Sequence, residues 1–557
     1  MRKIWNQPES VPEVVEKELD AFSPIERQIL YMRGLSSLDQ VDEFLNAEKI
    51  SDHDPFLLKG MKEAVERIER GLLNNEKIVI YGDYDVDGVT SAALLLGTIK
   101  TFGGNVEHYI PNRFNEGYGL NSGAIEIIAA QGAKLLITVD CGMRASNEIA
   151  MAGRLGLDVI VTDHHLPGEK PPGGLAVINP KQDGNTYPFQ ELAGVGLAFK
   201  LAQALHRKRG LKDPEEALDL VALGTVADMA VLKGENRALV ARGIKRLRRT
   251  ERVGLQELAK VGRIQLGKTN TGTIGYVLGP RLNAAGRLGS AENALLLLTT
   301  GSKLQAEDIA EQLELTNRRR QDLTAETVER AIKKAVGDGD VPLILFAADE
   351  AFNEGVVGLG ASRLVDKYHR PAMVCNRSGI HTRGSARSIP GFHIANAIDR
   401  CSELLVKHGG HARAAGFTME TDKEKLFAER MMRIAEEELE EGDLVPRISI
   451  DAEAGLDQLN SKLLEFFDRL EPCGEGNRKP TLVARNAKVL AKRVVGADGK
   501  HLKLTLSQKQ RSMDAIAFRM GELIDELPSR IDVAFNFERN EYLGFESMQM
   551  NVVDIHW

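Results

Sequence analysis

Three carboxylates fall within five residues, at Asp83, Asp85 and Asp87, in the run Tyr81-Gly-Asp-Tyr-Asp-Val-Asp-Gly88. Acids recur at Asp140, in Val139-Asp-Cys-Gly142, and at Asp163, in Asp163-His164-His165. Carboxylates this crowded repel one another unless a cation sits among them. Carboxylates with imidazole and no thiolate disfavour a structural zinc site and fit Mn²⁺ or Mg²⁺. So many acids exceed what one ion needs, so two ions bridged by a shared carboxylate are expected. A pair about 3.5–4 Å apart suits in-line hydrolysis of a phosphate ester. The central expectation is that Asp83, Asp85, Asp140 and His164 converge on metal.

The elements that must position these groups can be read from the flanks. Apolar, β-branched runs precede each acid: 78–80, 135–139 and 159–162. Such runs are typical of strands buried on both faces. Helical patterns lie between and after them, at 90–98, 122–131 and 145–155. Alternating strands and helices imply a parallel sheet, with all three acid-bearing ends on one edge. That edge is where open α/β sheets place ligands.

Blander explanations compete. Asp83-Tyr-Asp-Val-Asp-Gly matches the opening of an EF-hand loop, but Leu94 stands where that loop needs its last Glu. Acids after strands can be helix N-caps, a fair account of Asp87 or Asp163 alone and a poor one for three sites together. A lone histidine is more often a satisfied core or surface residue; the adjacent pair is harder to explain that way.

The runs 81–91, 139–142 and 163–165 resemble the first three motifs of the DHH phosphoesterase superfamily, and Leu223-Gly-Thr-Val-Ala-Asp228-Met229 resembles the fourth. Within the superfamily the chain resembles, over nearly its whole length, the RecJ family of single-strand-specific 5′→3′ DNA exonucleases. The resemblance implies Asp228 as the last metal ligand. It also implies Asp140 as the bridge, His165 either supporting the ligands from behind or stabilising the phosphorus as charge builds up, and Asp87 and Asp163 orienting neighbouring ligands. It makes Asp83, Asp85, Asp140, His164, His165 and Asp228 the catalytic set.

Composition bounds the rest. The 557 residues are 43% hydrophobic and 27% charged, ordinary for a globular protein of several domains. No apolar run is long enough to span a membrane, and the start, Met1-Arg-Lys-Ile-Trp, lacks a signal-peptide segment. Four scattered cysteines without a CxxC pair point to a reducing cytoplasm. A net charge of −8 confines nucleic-acid contact to local patches. Basic clusters occur at 242–252 and 318–320, where a solvated helix face is as good an explanation.

Along the chain, 1–51 is expected to be a helical extension packed on the core, without visible chemistry. Residues 52–302 form the DHH catalytic domain, 303–338 a connecting helix, 339–446 a second α/β DHH-associated (DHHA1) domain, and 447–557 an OB-like β-barrel. Gly194-Val-Gly196 at a helix start follows no clear strand, so a dinucleotide site is rejected in favour of close helix packing. Arg113, in the loop 111–119, could meet a phosphate. Arg281, in Gly279-Pro-Arg-Leu-Asn-Ala-Ala-Gly-Arg287, could grip one by a bidentate contact, with an interdomain salt bridge as the alternative. Gly409-Gly-His-Ala-Arg-Ala-Ala-Gly416 resembles the DHHA1 signature: Gly409 and Gly410 let backbone N–H groups approach an anion, while His411 and Arg413 supply donors. Ser385 and Arg387 would complete a 5′-phosphate pocket. Phe352-Asn353 and Arg478-Lys479 depart from the family pattern. The C-terminal region alternates as strands of a small antiparallel barrel, with Lys488, Lys492, Arg493, Lys500 and Lys503 as a basic face for single strands.

These readings converge on a Mn²⁺- or Mg²⁺-dependent exonuclease that degrades single-stranded DNA from the 5′ end to 5′-mononucleotides, in recombination and repair. The resemblance implies a single-strand-binding protein and a helicase as partners. One alternative is a phosphodiesterase acting on short oligonucleotides or cyclic dinucleotides, which would not need the extra barrel. Another is a catalytically dead DNA-binding scaffold, which would have lost metal ligands that this chain keeps.

Overall fold

The computed structural model describes residues 3–168, 170–496, 499–542 and 545–557. Ile78–Gly82 (β1), Val106–Tyr109 (β2), Leu135–Val139 (β3), Asp158–Thr162 (β4) and Ala176–Ile178 (β5) form a parallel sheet in the order β2-β1-β3-β4-β5. Alternate residues of the central strands enter two separate cores. Ile78, Ile80, Leu135 and Ile137 pack on one face, and Val79, Tyr81, Leu136 and Val161 on the other. That explains why the strands read as continuous apolar runs rather than as alternation.

Val86–Thr101 (α1) is buried nearly all round, between the sheet and the helices Gly194–Lys208 (α2) and Leu218–Ala227 (α3). A helix so enclosed needs no polar face, and its middle, residues 92–96, is wholly apolar. The chain runs from β1 to β2 on one side and then returns to place β3 on the other. β1 and β3 therefore flank the topological switch point, where a crevice opens at their carboxyl ends.

Residues 7–315 and 450–557 form one compact unit; residues 316–449 and the short N-terminal strand Ile4–Asn6 form another. Lys303–Ala335 (α4) is a single long helix whose first turns bury Ala306, Ile309, Ala310 and Leu313 in the catalytic core. In the second unit, Leu345–Asp349 (β6), Ala372–Ser378 (β7), His381–Arg387 (β8), Leu405–His411 (β9) and Ala414–Glu420 (β10) make a mixed sheet in the order β9-β10-β8-β7-β6.

The C-terminal region closes a five-stranded barrel. Leu482–Val495 (β11) pairs with His501–Gln508 (β12) and with Arg530–Tyr542 (β14). β12 pairs with Arg511–Ala517 (β13), and β14 with Phe545–His556 (β15). The expected all-antiparallel pairing is not complete: β13 meets β15 in parallel, and that pair closes the barrel. The N-terminal helices also differ from expectation. Val15, Leu19, Ile25, Ile29, Leu30 and Val41 share a core with Leu464, Leu470 and Phe535 of the C-terminal region rather than with the catalytic sheet.

Candidate metal centre and phosphate-facing residues

The metal candidates meet at the switch point. Asp83 and Asp85 leave the end of β1, Asp140 the end of β3, and Asp163, His164 and His165 the end of β4. Asp228 sits at the C-terminus of α3. Asp140 has φ +60° and is followed by Gly142 at +118°. The left-handed region is costly for a residue with a Cβ, and Asp is among those that tolerate it. His164 Nε2 lies 3.1 Å from Asp140 Oδ1, 3.8 Å from Asp87 Oδ2 and 3.9 Å from Asp228 Oδ2. Three overlapping sets of ligand atoms each fall within 4.8 Å of one another: Asp83-Asp85-Asp140, Asp87-His164-Asp228 and Asp140-His164-His165. Asp140 and His164 each belong to two of them.

The donor set fits a divalent cation. Asp83 Oδ1, Asp140 Oδ1 and His164 Nε2 are buried without a hydrogen-bond partner, and buried polar atoms are rarely left so. Burial raises the pKa of Asp83 and Asp140, and neighbouring carboxylates raise both further. Burial, with Asp87 and Asp85 beside it, pushes Asp228 up to about 9. Burial, together with the neighbouring His165, pushes His164 down to about 3, leaving a neutral imidazole able to ligate. Three crowded acids that resist ionisation and a histidine that resists protonation suit a centre of positive charge.

The supporting residues are already satisfied. Asp163 accepts from the Met143 N–H (2.8 Å) and from His165 Nδ1 (2.7 Å). Burial would lower the His165 pKa, but the hydrogen bond and charge of Asp163 outweigh it and hold the ring above its ordinary value. Asp87 accepts from the N–H groups of Gly194 (2.7 Å) and Val195 (2.8 Å), and so anchors the start of α2. A Cβ at Gly194 would meet Asp140 Cβ and Asp87 Oδ2, each at 2.8 Å. The Gly-Val-Gly run thus belongs to the metal centre's wall, a role that sequence reasoning missed. The signal was glycine at a helix start, but its neighbour lies 107 positions away. The N-cap role falls on Asp85, whose Oδ1 accepts from the Asp87 and Gly88 N–H groups, and not on Asp87.

Other expected residues are placed as follows. Arg113 lies 5.3 Å over the Tyr84 ring, within the carboxylate turn, and its charge acts on Asp83. Arg281 is engaged elsewhere: Nε is 2.8 Å from Glu314 Oε2 of α4, and Nη1 donates to the Val277 carbonyl. Arg281 thus makes an ion pair as its alternative reading expected, although with a partner in the same compact unit rather than across domains. From the same segment, Asn283 Oδ1 accepts from the Val86 N–H at 3.1 Å, and Gly286 packs on the Tyr84 carbonyl, where a Cβ would come within 2.4 Å. Asn283 and Gly286 brace the carboxylate turn, and the sequence had drawn attention to the arginine instead.

In the second unit, Ser385, Gly416 and Gly409 stand in one cross-strand row, and Arg387, Ala414 and His411 in the next. Both rows face the same side of the sheet. Arg387 Nη1 donates to Ser385 Oγ at 2.9 Å, and Gly358, in the first turn of Val357–Tyr368, leaves room beside both. Gly410 alternates to the other side, against Ala415. Phe352 is a core residue and Asn353 closes a local turn onto the Gly355 N–H. Arg478 approaches Asp451 at 3.8 Å. Among the expected basic patches, Arg242, Lys245 and Arg252 pair with Asp52, Glu48 and Asp219. On the barrel, Lys492 is held by the Ile524 and Leu527 carbonyls and Lys503 by Asp514.

A parallel sheet with aspartates and a His-His pair at its switch point defines a phosphoesterase of the DHH class. Family models match accordingly: the DHH family N-terminal domain over residues 77–225, the DHHA1 domain over 340–437 and the RecJ OB domain over 450–554. The single-stranded-DNA-specific exonuclease RecJ of Bacillus subtilis is 39% identical over 538 residues, covering 96% of this chain and 68% of that protein. RecJ of Escherichia coli is 33% identical, with 96% of both chains covered. A crystal structure of RecJ from Thermus thermophilus in complex with Mn²⁺ superposes with a TM-score of 0.87 at 30% identity, over 100% of this chain and 79% of that one. A second, in complex with Mg²⁺, gives 0.80 at 28% identity, over 100% of this chain and 78% of that one. The chain belongs to the RecJ family.

Proposed function

We infer that this protein is a metal-dependent exonuclease on single-stranded DNA that works 5′→3′ and releases 5′-mononucleotides, in recombination and repair. The observation that carries the reading is the gathering of three buried, unpartnered ligand atoms, on Asp83, Asp140 and His164, at the switch point of a RecJ-family fold. Asp83, Asp85, Asp140, His164 and Asp228 would hold two Mn²⁺ or Mg²⁺ ions. Such a pair, when bound, lowers the pKa of water and neutralises charge on phosphoryl oxygens. The chain's own groups do the rest. Asp163 holds His165 by Nδ1, leaving Nε2 to donate to a phosphoryl oxygen as negative charge builds. Asp87 fixes the start of α2 against the acids. In the second unit, Ser385, Arg387, Gly409, Gly410 and His411 would receive the 5′ phosphate.

On the family resemblance alone, a single-strand-binding protein and a helicase would be partners. Four free, buried cysteines support a cytoplasmic setting; among the described residues, no helix is long and apolar enough to cross a membrane. The test offers Mn²⁺-loaded protein a long 5′-phosphorylated single strand, the same strand in duplex, and a dinucleotide. Rapid release of mononucleotides from the long single strand, abolished by chelator, is expected. Preference for the dinucleotide would replace the substrate, and full turnover in excess chelator would end the metal assignment. Binding should also weaken with salt, since phosphate contacts release counterions.

A further inference from the structure

The loop after β2 delivers two side chains to the metal centre from its opposite ends. Near its start, Arg113 lies over Tyr84. Near its end, the Tyr118 hydroxyl lies 3.3 Å from His165 Nδ1 and 3.5 Å from the Asp140 carbonyl, with the ring edge-on to His165 and 53% exposed. Gly117 and Gly119, both at φ +83°, bracket Tyr118. Loops with such glycines have many conformations open to them, so something must select this one.

Glu116 makes that selection. Its Oε1 accepts from the Tyr109 hydroxyl at 2.7 Å and from Asn121 Nδ2 at 3.0 Å, and its Oε2 accepts from the Asn112 N–H at 2.6 Å. One carboxylate therefore ties the end of β2, the first turn of the loop and the residue that caps Ser122–Ala130. Asn121 Nδ2 also donates to the Tyr81 hydroxyl, which in turn donates to the Gly119 carbonyl, and the Tyr81 and Tyr109 rings stack at 5.3 Å. Tyr81 immediately precedes the Gly82-Asp83 turn, so the loop and the carboxylate turn share one hydrogen-bonded frame. Burial would raise the Glu116 pKa, but these hydrogen bonds outweigh it and keep the group ionised.

We propose that Glu116 is a positioning residue for phosphodiester hydrolysis: by closing the 112–119 loop on itself, it fixes where Arg113 and Tyr118 stand against the metal centre. The inference rests on the exonuclease reading above. Glu116 touches no metal candidate, so it acts through the loop.

Three variants of the full chain test it: Glu116→Ala, Glu116→Gln and Tyr109→Phe. They are assayed for kcat and KM on a 5′-phosphorylated single strand, for Mn²⁺ affinity by calorimetry, and for amide exchange. A displacement of about 1 Å can cost about a hundredfold in rate. Glu116→Ala should therefore lower kcat by about that factor while Mn²⁺ affinity stays unchanged. Amides of 112–120 should exchange faster, and those of 83–88 should not. Glu116→Gln keeps an oxygen for Tyr109 and Asn121 and should recover most of the loss. Tyr109→Phe, the milder change, should move kcat in the same direction by less. Unchanged kcat with a loosened loop would overturn the inference, as would a kcat loss matched by an equal loss of Mn²⁺ affinity. If the unsubstituted chain has no exonuclease activity, the functional reading itself fails, which is a distinguishable result.

Discussion

Two charged clusters are buried in the same unit, and they are built on opposite principles. Around Lys200 and Glu235 each charge has its opposite and both carboxylate oxygens accept hydrogen bonds. Lys200 Nζ is 2.5 Å from Glu235 Oε1 and donates to the His53 carbonyl, while Glu235 accepts from the Tyr187 hydroxyl and the His53 N–H. At the switch point, five aspartates and two histidines crowd together with ligand atoms left over on Asp83, Asp140 and His164. The first cluster is neutral and complete, and it holds the segment leading from the N-terminal helices against the catalytic domain. The second is unbalanced, and an unbalanced buried cluster persists only where a missing charge completes it. Burial of charge is therefore not the mark of function here; the leftover sign is.

The strongest way to break the contrast is Asp140→Asn, since Asn also tolerates positive φ. Hydrolysis should fall at least about a thousandfold, some 4 kcal/mol in the barrier, while single-strand binding survives and thermal stability without metal does not fall. Loss of the fold instead would make Asp140 structural. Next comes Lys200→Met, which leaves Glu235 buried without its cation and should cost about 3–5 kcal/mol in urea unfolding. Replacing both partners by apolar residues should cost much less.

The third test uses pH. Burial and neighbouring carboxylates raise Asp87 to about 7 and Asp228 to about 9. Both values lie above those of the unfolded chain, so folding takes up protons. The associated stability is complete below the ordinary carboxylate value of about 4 and is lost progressively as pH rises from there to those values. Chelator-treated protein should therefore melt at progressively lower temperature from about pH 4 to about pH 9, and Mn²⁺ should flatten the curve. A flat curve without metal would mean that the acids do not repel. The smallest effect is expected of Arg281→Ala: its partner is Glu314, so stability should drop by about 1 kcal/mol and kcat should stay within a few-fold. A large loss specific to 5′-phosphorylated ends would restore Arg281 as a phosphate contact.

How much of this could be read in the chain depended on range. The three acid-bearing strands of the catalytic sheet, the acids at their ends and the long helix were legible because each is a local pattern; the short edge strand Ala176–Ile178 was not. The last strand, Phe545–His556, was not, and neither was the parallel β13–β15 closure, because parallel pairing joins segments far apart. Arg281 reads as a phosphate ligand because its chemistry suits one, and its proximity to Glu314 could not be read from the sequence. Asn283, Gly286 and Glu116 passed unnoticed for the same reason: their partners are distant or are backbone groups.

The order and chemistry of the acids and histidines determined, by themselves, that this chain is built to gather divalent cations. Side-chain type and strand period are local properties, and both survive in a one-dimensional string. Which carboxylates stay unpaired, which arginines are already neutralised and which loop is held still were decided only by the tertiary structure. Those outcomes depend on distances between groups that the chain itself keeps far apart.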